Sequence, residues 1–235
     1  MMKRFWIKMN ILYEKFMLLV FIVALLIVIY GLYDTWYVYH NASDDSYRKY
    51  RPTVEAGVPE EAPITEDMVA WITVRDTNID YPVMQGDDNS KYLNVNPYGD
   101  YSLSGSIFLD SRNSPDFTDA YSILYGHHME YGSMFGALDD FLDPAYLRDH
   151  SSGELVVGRN ADKVCQLGIF ACIKVNVYEA NVLDPISYDE IMQIISGKGT
   201  YINPSVRKSK HILALSTCTE PVSSNRLLVF CYIYD

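Results

Sequence analysis

The side chains best suited to bond-making chemistry are four cysteines, a histidine pair and an arginine close to the end of the chain. Cys218 closes the apolar run HILALSTC, and Thr219-Glu220-Pro221 begins a loop after it. A strand end presents a side chain at a rim, where a thiol can meet substrate. Eight residues later Arg226 opens the next apolar run. A strand, a short loop and an antiparallel return bring Arg226 close to Cys218. A guanidinium stays charged and donates two bonds, which suits the oxyanion formed when a thiolate attacks a carbonyl. The thiol itself needs a base or a cation beside it at neutral pH. His127 and His128 follow SILYG, where Gly126 permits an unusual turn. One of these imidazoles can protonate a leaving amine; spacing alone does not say which. The plainer reading makes the histidines surface residues and Arg226 a charge on a strand edge. His40, His150 and His211 have weaker contexts.

Cys165, Cys172 and Cys231 complete the cysteine set, and none of the four forms a C-x-x-C pair. Two disulfides are the competing reading in an oxidising compartment, and the histidine spacing argues against zinc. Cys165 and Cys172 lie an odd number of residues apart, so a regular strand points them to opposite faces and no disulfide joins them.

Eight runs rich in β-branched and aromatic residues must position these groups: 71–74, 79–84, 106–110, 121–126, 154–158, 165–175, 211–218 and 226–234. Asp76-Thr77-Asn78 is turn-like. Helices are expected over 134–142 and over 188–196, the latter capped by Ser187 and stopped by Gly197. Many short strands with few helices predict a mainly β fold, a closed barrel or sandwich.

Residues 16–33, FMLLVFIVALLIVIYGLY, carry no charge. As a helix they span roughly 27 Å, near the thickness of a hydrocarbon core. Lys3, Arg4, Lys8 and Lys15 precede the run against Glu14 alone, while Asp34, Asp44 and Asp45 follow it. That asymmetry predicts a transmembrane signal anchor with residues 1–15 in the cytoplasm and the remainder outside. Trp36, Tyr37 and Tyr39 would form the outer aromatic belt. The run exceeds the usual ~7–15-residue core of a cleaved signal peptide and lacks a small-x-small site. The first fifteen residues hold four of the 19 bases and one of the 30 acids, leaving 15 against 29, a formal −14. An acidic surface of this kind excludes nucleic acid as a partner. Residues 34–64 read as a stalk with a short helix from Ser43 to Pro52 and an acidic, proline-bearing linker over 54–63, so the compact domain is expected over 65–235.

Together these segments resemble the sortases, and within them class B. LSTC (215–218) is similar to the sortase T-L-x-T-C signature. ILYGHHMEYGSMFGALDDF (123–141) resembles the class B histidine segment, GSIFLDSRN (105–113) the stretch before it, and QGDDNSKYL (85–93) a substrate-groove segment. The similarity runs in the family's order from Thr65 to Tyr234. It implies an eight-stranded sortase-type barrel with an N-terminal helix and an extra helix before the cysteine strand, preceded by one transmembrane helix. It also implies Cys218 as nucleophile, His127 as the catalytic histidine and Arg226 as its arginine partner. Asn89, Leu93, Tyr125, Ser216 and Thr217 match positions lining the groove. Two departures stand out: Ala214 replaces the signature's threonine, and Thr219 follows the cysteine where some class B enzymes have an acid.

The resemblance implies transpeptidation without metal or organic cofactor. A secreted protein bearing a C-terminal sorting signal is cleaved after threonine. The acyl group then passes to an amine of a cell-wall precursor or, alternatively, to a pilin lysine. A different class of reading, a membrane-anchored barrel that only binds, would require the cysteines to be paired.

Overall fold

The computed structural model describes residues 2–42, 46–176, 178, 181–184, 186–198, 201–218 and 224–234, with only the backbone of Val38, Tyr39, Asn41, Ala42, Glu130 and Cys218. The Ser43 cap, Asp44, Asp45 and the Thr219-Glu220-Pro221 loop lie outside the described residues, as do the side chains of Tyr39 and Cys218. The chain divides into two units, residues 1–41 and 42–235.

The first unit is one helix, α1 (Met2–Ala42). It is long and apolar enough to cross a membrane. It runs past Tyr33 because neither proline nor a glycine turn interrupts residues 34–42. Four-residue spacing stacks Tyr33 on Tyr37 and Trp36 on His40 along its side.

The second unit is a closed barrel of eight strands in the order β1-β2-β3-β4-β7-β8-β6-β5. The strands are β1 (Met68–Val74), β2 (Asp80–Met84), β3 (Ile107–Leu109), β4 (Tyr121–Tyr125), β5 (Ser152–Val157), β6 (Lys163–Asn176), β7 (His211–Cys218) and β8 (Asn225–Tyr234). Each corresponds to one of the eight expected runs. Closure leaves no unpaired edge. β4 and β7 run parallel, and β8 lies antiparallel between β7 and β6.

Two apolar clusters follow from strand alternation. One includes Leu124, Leu155, Leu213, Leu215, Val229 and Cys231. The other sits on the opposite face of β4, β7 and β8, with Ile123, Ala214, Leu228 and Phe230 packed beneath Val182, Ile191 and Ile195. Ile191 and Ile195 belong to α3 (Tyr188–Gly197), whose start is a capping box: the Ser187 hydroxyl accepts from the Glu190 amide while the Glu190 side chain reaches back to the Ser187 amide. Gly197 is its last helical residue rather than the stop beyond it. Residues 136–142 wind as a tighter 3₁₀ segment, and α2 (Pro144–Asp149) follows. Its signal, Asp143 capping with Pro144 at the first position, was present in the sequence.

Two expectations need correction. The compact unit does not begin at residue 65. Tyr47 is buried against Trp71 and Tyr81, Arg51 pairs with Glu154 at 2.6 Å, and the Val58 amide donates to Arg159 O. The acidic, proline-bearing stretch thus contains a turn that packs on the barrel, with Gly57 at φ +62° closing it. Second, Cys165 and Cys172 do not face opposite ways. The β6–β8 register shifts between Ile169 and Ala171. This bulge inserts one residue and resets the alternation, so both cysteines join the same cluster. No disulfide joins Cys165, Cys172 and Cys231 to one another among the described residues.

Candidate active site

Register brings the proposed reactive positions together. Cys218, the last residue of β7, is the cross-strand partner of Arg226, and Arg226 is in turn opposite Val175 of β6. Asn176 holds the start of β8, donating to Ser224 Oγ at 2.9 Å. The guanidinium of Arg226 donates to Asn225 O at 3.3 Å and lines a cleft of about 230 Å³. Asn89, Leu93, Tyr125, His127, Ser216 and Thr217 line the same cleft. Every sequence-derived site residue with a described side chain is therefore on this one surface. Phe108, Gly126 and Leu183 complete it; the sequence analysis assigned none of these three to the groove.

His127 leaves β4 immediately after Gly126. That glycine does not have a left-handed backbone. Its value is space: a Cβ there would collide with Ile107 and with the Phe135 ring, whose Cδ2 would lie 2.7 Å away. The Gly126 amide donates to Ser216 O at 3.1 Å, and the Phe135 amide to His127 O at 3.0 Å. The returning loop is fixed further by the Met134 amide, which donates to the Tyr81 hydroxyl at 2.8 Å.

The half-buried His127 ring has Nε2 at 2.8 Å from Leu93 O. A carbonyl only accepts, so Nε2 carries a proton and Nδ1 is the ring atom left to exchange one. His128 differs. Its Nε2 lies 2.7 Å from Asp139 Oδ2, and its backbone bridges to Met134. These contacts tie His128 to the loop, and it is absent from the cleft lining.

The hydroxyls of Ser216 and Thr217 are buried and have no protein partner among the described residues. An unsatisfied buried hydroxyl costs ~1–3 kcal/mol, and both residues line the cleft. Ala214, the departure from the signature, is fully buried between its register partners Ile123 and Phe230. It fills a packing position and does not reach the cleft lining.

Beneath the cleft lies a carboxylate that the sequence analysis did not single out. Asp110 is fully buried and accepts from Asn89 Nδ2 (3.0 Å), from the Tyr125 hydroxyl (2.9 Å), and from Arg112 Nε and Nη2 (2.9 and 2.8 Å). Burial by itself would push this carboxyl up; the Arg112 bonds, the Arg112 amide and the Tyr125 hydroxyl outweigh it and hold it below its ordinary value. Tyr125 moves the other way, raised by burial and by the Asp110 charge, so its hydroxyl stays neutral. The clue in the sequence was Asp-Ser-Arg directly after a three-residue strand: a turn that lets the arginine fold back on the aspartate.

The remaining cysteines differ in environment. Burial pushes the Cys172 thiol up to about 12 and raises Cys231 as well, which removes the thiolate that reactivity requires. Among the described residues no cluster of three or more histidine, cysteine or carboxylate side chains is disposed to hold a metal ion.

Comparison with known proteins identifies the family to which this fold belongs. The Sortase domain family matches residues 72–233. Sortase B of Listeria monocytogenes is 34% identical over 157 residues, covering 66% of this chain and 64% of its own length, so the match spans somewhat under two thirds of that relative. The crystal structure of a Streptococcus pyogenes class B sortase involved in pilus biogenesis superposes with a TM-score of 0.64 at 36% identity, covering 71% of this chain and 92% of that one. A Staphylococcus aureus sortase B–substrate complex superposes equally, TM-score 0.64 at 29% identity, over 73% of this chain and 82% of that one.

Proposed function

Since the chain belongs to the sortase family, with class B sortases among its relatives, we propose that it is a membrane-anchored cysteine transpeptidase. It cleaves a C-terminal sorting signal after threonine and joins the acyl product to an amine of a cell-wall precursor. The observation that carries this reading is the convergence of His127, Arg226 and the Ser216-Thr217 end of β7 on one cleft, with Cys218 in register opposite Arg226.

In this mechanism the Cys218 thiolate attacks the threonine carbonyl carbon, and the carbonyl π electrons move to oxygen. Arg226 donates to that oxyanion, a bond that strengthens as charge develops. The oxyanion collapses, the C–N bond breaks, and imidazolium His127 gives its Nδ1 proton to the leaving amine. A thioester remains on Cys218. The acceptor amine then attacks the thioester, neutral His127 takes its proton, and the thiolate departs, restoring the starting ion pair. Leu93 O accepts from Nε2 throughout and keeps the ring oriented.

Similarity to a class B sortase involved in pilus biogenesis favours one second reading, with a pilin lysine as acceptor. Incubating the chain with a sorting-peptide library and either a glycine-type amine or a lysine-bearing peptide separates the two. Mass spectrometry should find the amine-ligated product of one acceptor in clear excess over hydrolysis. If neither acceptor is ligated and no peptide is cleaved, the transpeptidase reading fails.

The anchor reading places residues 1–15 inside and the barrel outside, tethered by residues 16–33. It rests on the basic N-terminal flank and on the single apolar helix among the described residues. Tethering confines enzyme and secreted donor to one surface and raises their effective concentration. Protease added to intact, wall-stripped cells should digest residues 42–235; protection would reverse the orientation.

A further inference from the structure

We infer that Arg112, locked onto buried Asp110, is a positioning residue that sets Leu183 as a wall of the cleft and thereby selects which donor side chain fits. The inference rests on the transpeptidase reading for its substrate, while the physical coupling stands on the structure. One guanidinium holds two separate parts of the fold. Its Nε and Nη2 grip both oxygens of Asp110, at the exit of β3. Its Nη2 also donates to Leu183 O at 2.7 Å, and its Nη1 to Asp184 Oδ1 at 3.0 Å. Leu183 lines the cleft, and it belongs to the connection between β6 and α3. The neighbouring Val182 is fully buried, and its carbonyl accepts from the Tyr121 hydroxyl at 2.7 Å. The connection is therefore stapled at Val182 by β4, whereas the Leu183 carbonyl and the Asp184 carboxylate are held by Arg112.

The same Asp110 carboxylate orients the Asn89 and Tyr125 sides of the cleft. Three wall residues thus take their positions from one buried charge, two directly and Leu183 through the planar fork of Arg112. A lysine cannot reproduce this: an ammonium lacks the opposed donor edges needed to hold Asp110 and Leu183 at once. Because Asp184 and the Arg112 side chain are substantially exposed, their ion pair is a weak contributor to global stability. The expected consequence of losing Arg112 falls on the wall's position, not on the chemical step.

The test uses the full chain in detergent micelles and compares Arg112→Ala, Arg112→Lys, Leu183→Ala and the Arg112→Ala/Leu183→Ala double variant. Losing a charge-assisted hydrogen bond to the wall should raise the KM for the best library peptide by about tenfold, with kcat changed less than threefold. It should also flatten the preference among donor side chains. Arg112→Lys should recover only part of this. If Arg112 acts through Leu183, the double variant is no worse than the poorer single variant. Wild-type KM and preference in Arg112→Ala, or additive losses in the double variant, would overturn the inference. Hydrogen exchange supplies a readout that needs no turnover. Arg112→Ala should speed exchange at Leu183 and Asp184 at least tenfold while β7 stays protected. Unchanged exchange there overturns the coupling even if no peptide is cleaved, whereas absence of cleavage by the parent chain counts against the transpeptidase reading alone. Should Arg112→Ala fail to fold, Leu183→Ala must still change the donor preference, and Arg112→Lys must still loosen exchange at Leu183; failure of either rejects the proposal.

Discussion

Along β7 and β8 the side chains alternate between two environments. Leu213, Leu215, Val229 and Cys231 pack with the larger cluster. Ala214, Leu228 and Phe230 pack with the smaller one, and the positions that continue their side of the strands, Ser216 and Arg226, open into the cleft. The strands are the same, so the contrast comes from what lies across from each face. Apolar neighbours raise the pKa of Cys231 and leave it a small hydrophobe. On the other face the apolar packing gives out at the strand ends, where a guanidinium, an imidazole and the Ser216 hydroxyl meet. A closed barrel can therefore keep its chemistry on a rim whose geometry is set by rigid strands, while the inner face supplies stability.

The largest effect expected from disturbing the cleft face is at His127. His127→Ala should lower transfer by ~10²–10⁴-fold, the usual range for a positioned acid–base group, with the melting temperature near wild type. His128→Ala removes the Asp139 contact and should cost only a few-fold. Comparing single-turnover rates of the two variants checks the assignment, and the reverse ranking would exchange their roles.

Arg226→Ala should come next, slowing acylation by ~10²–10³-fold, as removal of one oxyanion donor typically does. Arg226→Lys keeps the charge without the fork and should restore part of the rate. The measurement is single-turnover thioester formation from a fluorogenic donor peptide, with circular dichroism to confirm the barrel. Wild-type acylation by Arg226→Ala would return the residue to a strand-edge charge.

The inner face should show the opposite profile. Leu215→Ala empties a fully buried site and should cost ~2–5 kcal/mol of stability, read by denaturant unfolding. Its effect on single-turnover chemistry in the surviving folded fraction should be small. A large rate loss without destabilisation would erase the distinction between the faces.

How far the sequence discloses this arrangement depends on the range of the signal. Strand alternation and strong β formers are local, so all eight strands were legible, and the eight-residue interval from Cys218 to Arg226 anticipated their register pairing. The bulge at Ile169–Ala171 was not, because GIFACI contains no residue that local sterics force out of register; pairing with β8 decides it. The same holds for Tyr47, whose burial depends on Trp71 and Tyr81. The groove's far wall was hidden for a similar reason. Leu183 lies 71 residues from Arg112 in sequence, and no short-range pattern links them.

The smallest expected effect concerns pH. Asp110 has its folded pKa held below the ordinary 3.8. The stability it contributes is complete above that unfolded value and is lost as pH falls through the lower folded one. Melting temperatures of wild type and Asp110→Asn should therefore differ most near neutrality and converge as the medium is acidified below about pH 3.8. A gap that stays constant through that range would mean that the carboxylate's charge is not what holds the cleft walls.

The contrast between the two faces is tested most directly by finding which sulfur carries the acyl group. The full chain is mixed with a cleavable donor peptide, quenched in acid and digested, and the thioester is located by mass spectrometry. The account predicts the acyl mass on the peptide containing Cys218 and none on those containing Cys165, Cys172 or Cys231. Acyl mass on any of those three, with Cys218 unmodified, would contradict it.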